Sequence, residues 1–91
     1  LQAKTKILII RLSSIGDIVQ CSGVPRHLKH HFQDCEIHWV IRSDNRDLIA
    51  ETPYVTKIWS FDRKAKFSGW LKLCRTLQNE NFTHVYDIHN N

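Results

Sequence analysis

The stretch Lys6–Arg11, KILIIR, is a nearly unbroken run of Ile and Leu, and it narrows the fold more than any other part of the chain. A strand with one wet face alternates apolar and polar residues. A continuous aliphatic run is the pattern of a strand covered on both faces. Such strands sit inside parallel sheets, where crossover helices lie on both sides. Three further apolar runs follow it: Glu36–Arg42 (EIHWVIR), Val55–Phe61 (VTKIWSF), introduced by Pro53, and His84–Ile88 (HVYDI).

Helical patterns fill the gaps between these runs. Asp17–Phe32 places Ile18, Cys21, Leu28 and Phe32 as apolar points, while Gly23 and Pro25 predict a break near residues 22–25. Asn45–Glu51 predicts a short helical turn. Ser68–Asn79 sets Trp70, Leu73, Cys74 and Leu77 at i, i+3, i+4 and i+7, an amphipathic helix for which Ser68 is the expected cap. The order β-α-β-α-β-α-β implies right-handed crossovers. The expected fold class is α/β, a Rossmann-like three-layer half with a mostly parallel four-stranded sheet.

Composition excludes several function classes. With 42% hydrophobic and 24% charged residues the chain is globular, and its 91 residues make one domain. The net charge of +4 favours an anionic partner. The basic residues are scattered apart from Arg63-Lys64-Ala65-Lys66, so no nucleic-acid-binding stripe is expected. Cys21, Cys35 and Cys74 are odd in number and form no C-x-x-C pair, which fits a reduced, cytoplasmic compartment. No apolar run approaches the ~20 residues that span a bilayer, so any membrane contact is expected to be peripheral. The chain contains no methionine and stops directly after an apparent strand. It therefore reads as a piece of something longer.

In open α/β sheets, ligands bind beyond the carboxyl ends of the strands, near the point where the strand order reverses. After the first strand come Leu12-Ser13-Ser14-Ile15-Gly16 and then Asp17. The small residues allow a sharp turn, and two hydroxyls with the N–H groups of a helix start supply donors for anionic or polyol oxygens. Neither G-x-G-x-x-G nor G-x-x-x-x-G-K-[ST] occurs, so this is not a dinucleotide fingerprint or a P-loop. Asp17 has two readings. As part of a capping box (Ser14 to Asp17, or Asp17 to Gln20) it stabilises a helix start by about 1 kcal/mol. As an acid facing a hydroxyl-bearing substrate, it could accept that hydroxyl's proton.

The motifs KILIIRLSSIGDIV and YDIHNN together resemble the amino-terminal half of the lipopolysaccharide heptosyltransferase family, glycosyltransferase family nine. The resemblance covers nearly all 91 residues. It implies a GT-B enzyme of two Rossmann-like domains, of which residues 1–91 are the truncated acceptor-binding one and the carboxyl-terminal donor-binding domain is absent. The implied reaction is transfer of heptose, with inversion, from ADP-heptose to the lipopolysaccharide inner core. On this resemblance Asp17 is the general base and Arg11 holds an acceptor carboxylate or phosphate in bidentate fashion. Ser13, Ser14, His89 and Asn90 line the acceptor pocket, and Gly16 keeps the backbone clear of it. The implied partners are a lipid A-linked inner-core acceptor and a nucleotide-sugar donor held by the other domain. No cofactor, metal or nucleic acid is called for, and the implied location is the cytoplasmic face of the inner membrane. The chain departs from the family pattern in two places. The proline after Gly-Asp is displaced to Pro25, and His89 stands where Gln is common.

The alternative function, from a different class, is a non-catalytic Rossmann-like module that binds a nucleotide or phosphosugar through the Ser13–Gly16 bend. Two further clusters have simpler accounts. His27, His30, His31, Cys35 and His38 could suggest zinc, but they read as a solvated basic helix face with Cys35 half-buried. Trp39, Trp59 and Trp70 lie at core-facing positions and read as packing residues, not as a sugar-stacking set.

Overall fold

A computed structural model describes residues 4–12, 15–62, 64 and 66–88. Its elements are β1 (Thr5–Ile10), α1 (Ile15–Cys21), α2 (Val24–His31), β2 (Cys35–Arg42), a 3-10 turn over Ser43–Leu48, β3 (Lys57–Phe61), α3 (Phe67–Gln78) and β4 (His84–Asp87). The strands form one sheet in the order β3-β2-β1-β4. Every pair is parallel, with Ile7 opposite Ile37 and His84, and Trp39 opposite Ile58. The expected fold class is the observed one.

The aliphatic run takes an inner position. Ile7, Leu8 and Ile9 are all buried, so β1 is covered on both faces. On one face Ile7 and Ile9 meet Ile37, Trp39 and Ile41 of β2, and Ile18 of α1, Leu28 of α2 and Ile49 close this main core. On the other face Phe61 meets Trp70 of α3, their ring centres 4.9 Å apart. There α3 buries no residue completely, and a groove of about 420 Å³ lined by Leu8, Cys74, Leu77, Phe82 and Val85 runs beside it.

The expected helix break falls at Ser22-Gly23. The Ser22 hydroxyl donates back to the Val19 carbonyl at 2.6 Å, and Pro25 opens the first turn of α2, where a missing N–H costs nothing. Three local expectations are corrected. Ser68 does not cap α3. The extended residue Lys66 occupies that position without a side-chain bond, and its carbonyl accepts from Gly69 and Trp70 at 2.8 and 3.3 Å. The turn expected at Asn45–Glu51 starts earlier and is a tighter 3-10 turn, because Asn45 is drawn inward. Cys35 is fully buried, since as the first residue of β2 it faces the main core.

Candidate active site at the carboxyl end of β1

The chain crosses from β1 to β2 on one side and later returns to set β4 on the other, so β1 lies at the point of reversal. The crevice beyond its carboxyl end is where open parallel sheets place ligands. Arg11, the first residue past β1, is held by its backbone on both counts. Its N–H donates to the Val40 carbonyl at 3.3 Å, and its carbonyl accepts from the Trp39 indole at 3.2 Å. The next carbonyl, that of Leu12, accepts from the Arg42 N–H at 3.2 Å and from the Asn45 amide at 3.1 Å. Arg11 and Leu12 are thus bolted to β2 and to the 3-10 turn before any functional group is considered.

The Arg11 side chain turns inward. Its Nη1 donates to the Ile88 carbonyl at 2.5 Å, and its Nη2 donates to Asp17 Oδ2. Only 6% of the Arg11 side chain is exposed, against 46% for Asp17. The acid stands in the first turn of α1 with its carboxylate half open to solvent and one oxygen on a buried cation. The guanidinium fork expected to meet an acceptor is therefore taken up by two groups of the chain itself.

The other expected site residues divide cleanly. Ser13, Ser14, His89 and Asn90 lie outside the described residues. Gly16 is exposed, and a Cβ placed on it would meet nothing within 4 Å among the described residues. Packing among the described residues does not require a glycine there. Asn45 was not singled out from the sequence, because a polar residue after a strand looks like ordinary loop. It is 6% exposed and helps to hold the bend.

The histidine–cysteine set does not converge. Cys35 faces the main core, while His38 is buried with Nε2 at 3.1 Å from Glu36 and Nδ1 at 2.9 Å from the Trp59 indole. Among the described residues, no group of three or more His, Cys, Asp or Glu could hold a metal ion. Trp39 is wholly buried, and Trp59 and Trp70 are half-buried. No helix among the described residues is long and apolar enough to cross a membrane.

The sheet order and the acid beyond its central strands define a Rossmann-like α/β unit with a candidate proton acceptor at the point of reversal. No protein-family model matches the chain. It is similar to the lipopolysaccharide heptosyltransferase 1 of Campylobacter coli, with 31% identity over 84 residues covering 91% of this chain. It is also similar to the lipopolysaccharide core heptosyltransferase OpsX of Haemophilus influenzae, with 28% identity over 87 residues covering 96% of this chain. The chain spans 25% of the length of each.

Two solved structures share the fold. A glycosyl transferase family 9 protein from Veillonella parvula superposes with a TM-score of 0.85 at 18% identity, covering 100% of this chain and 28% of that one. The E. coli ADP-heptose LPS heptosyltransferase II superposes at 0.77 and 22% identity, covering 91% and 24%. The family resemblance expected from the sequence is thus matched by the curated relatives, and the expected fold by the solved structures.

Proposed function

We propose that this chain is the amino-terminal, acceptor-binding part of an inverting glycosyltransferase that moves heptose from ADP-heptose to the lipopolysaccharide inner core. One observation carries the reading. Asp17 presents a half-exposed carboxylate beyond the carboxyl end of β1, in a chain whose curated relatives are named as heptosyltransferases. The Asp17 carboxylate takes the proton of an acceptor sugar hydroxyl while that oxygen forms a bond to the anomeric carbon of heptose. The bond from that carbon to the diphosphate breaks, and ADP leaves with the electron pair. Ser13, Ser14, His89 and Asn90 contribute hydrogen-bonding groups to the acceptor, and Gly16 leaves room for it. The donor is held mainly by a second domain, and the enzyme works at the cytoplasmic face of the inner membrane through peripheral contact.

The test is Asp17→Asn in the full-length protein, with heptosyl transfer to a lipid A-linked acceptor as the readout. The expected result is a loss of about 10²–10⁴-fold in turnover with an unchanged circular dichroism spectrum. Full activity in that variant reduces Asp17 to a helix cap. In that case nucleotide binding by the chain would favour the non-catalytic module instead.

A further inference from the structure

We propose that Arg11 is a positioning residue. Its guanidinium fixes the Asp17 carboxylate by tying α1 to the carboxyl end of β4, and it does not hold the acceptor. The inference rests on Asp17 being the base, and it adds what aims that base.

Three observations carry it. The first is burial: with 6% of its side chain exposed, Arg11 offers a ligand little surface, whereas Asp17 offers 46% of its own. The second is how the fork is used. Nη1 donates to the Ile88 carbonyl and Nη2 to Asp17 Oδ2, so one planar group joins the first turn of α1 to the residue that follows β4. A guanidinium suits this task because its donors are fixed in a plane and remain charged at any working pH. The third is the weakness of the alternative anchor. Helix α1 is seven residues long, and Ile18 is its only buried residue. Cys21 packs partly against the same core, and so small an apolar footing lets a two-turn helix rock about its own axis, which would swing Asp17. The Arg11 root cannot follow, because Val40 and Trp39 pin its backbone.

The chemistry follows from general-base geometry. A base must lie within hydrogen-bond reach of the proton it removes, and it is commonly oriented by a third group. Displacing a catalytic group by about 1 Å can cost 10²-fold in rate without touching substrate affinity. A residue that grips the acceptor behaves differently, since its loss raises the acceptor KM.

The experiment uses the full-length protein and the variants Arg11→Met, Arg11→Lys, Asp17→Asn and the double variant Arg11→Met/Asp17→Asn. The readouts are kcat and the KM for a lipid A-linked acceptor. Arg11→Met is expected to lower kcat by about 100-fold with the acceptor KM within about 3-fold of the parent. Arg11→Lys should recover part of the rate, because one ammonium reaches Asp17 without bridging to Ile88. In the Asp17→Asn background, Arg11→Met should cost nothing further. A raised acceptor KM with kcat retained makes Arg11 a substrate ligand and overturns the proposal. So does an equal loss in both backgrounds, since Arg11 would then act independently of Asp17. If Arg11→Met does not fold by circular dichroism, Arg11→Lys is judged by the same two constants. Full activity of Asp17→Asn alone is a separate result: it removes the base itself.

Discussion

The indole N–H of Trp59 points at Nδ1 of His38, 2.9 Å away, and so decides which imidazole nitrogen carries the proton. An indole can only donate, so Nδ1 is the acceptor and the ring proton sits on Nε2, facing Glu36 at 3.1 Å. This small polar chain lies on β2 and β3, with the Phe82 ring edge-on to His38 at 5.0 Å. Replacing Trp59 by Phe would keep a ring beside Lys57 but leave a buried acceptor without its donor. The expected cost is about 1–3 kcal/mol in urea unfolding. Nitrogen shifts of His38 should also move from a single tautomer towards a mixture. An unchanged tautomer would show that Trp59 does not set it.

Two carboxylates make stability depend on acidity. The bond to His38 holds the Glu36 carboxyl below its ordinary value of 4.5, helped by the charges of Lys6 and Lys4 and opposed by desolvation. The bond from Lys6 does the same for Glu80. A carboxyl lowered in the folded state stabilises above its unfolded value, and that contribution is lost as pH falls through the folded one. Unfolding free energy should therefore be flat from neutrality down to about pH 5 and decline below it. Glu80→Gln should flatten the decline. An identical acid limb in that variant would remove the Lys6–Glu80 pair as a source.

Trp39 joins the core to the site, being wholly buried while donating to the Arg11 carbonyl at 3.2 Å. Trp39→Phe keeps most of the apolar volume and removes that donor, for an expected loss of about 1–3 kcal/mol. Trp39→Ala should cost about 3–5 kcal/mol, because the cavity lies between β2 and the main core. Thermal or urea melts of the pair separate the hydrogen bond from the volume. Equal losses would mean that the indole N–H contributes most of what Trp39 does.

Strand β4 is an edge of the sheet, all four of its residues are exposed, and it carries Val85 and Tyr86 but no Lys or Arg. The opposite edge, β3, carries Lys57. Edge lysines in particular blunt pairing, and the one charge on β4, Asp87, stands at its end, so β4 is the edge at which copies of this 91-residue chain should associate. Sedimentation at high concentration should show self-association that Val85→Lys suppresses. Association unaffected by that substitution would point to another surface, such as the groove beside α3.

Much of the fold was legible because burial leaves a compositional trace. KILIIR has the pattern of an inner strand, and Gly23 with Pro25 that of a break in a helix; both stand where expected. Boundaries were less legible, since Ser68 resembles a cap but Lys66 adopts the extended conformation one step before the helix. The site divided the same way. Asp17 and Arg11 were visible as separate residues, but their pairing depends on the direction each side chain takes, and spacing does not encode that. Asn45 was invisible for a related reason. Its inward turn follows from the position of the Leu12 carbonyl, 33 residues earlier in the chain.

The clamp on Asp17 has a history written into the order of synthesis. The acid and its guanidinium are 6 residues apart and leave the ribosome almost together, whereas the carbonyl of Ile88 arrives 77 residues after Arg11. Until β4 has docked beside β1, the guanidinium has a charge to hold but no far anchor to hold it against. A nascent chain that has finished β1, α1, α2, β2 and β3 already owns its main core, yet its acid is not yet aimed. Arrival of the fourth strand is the event that turns a folded scaffold into a site.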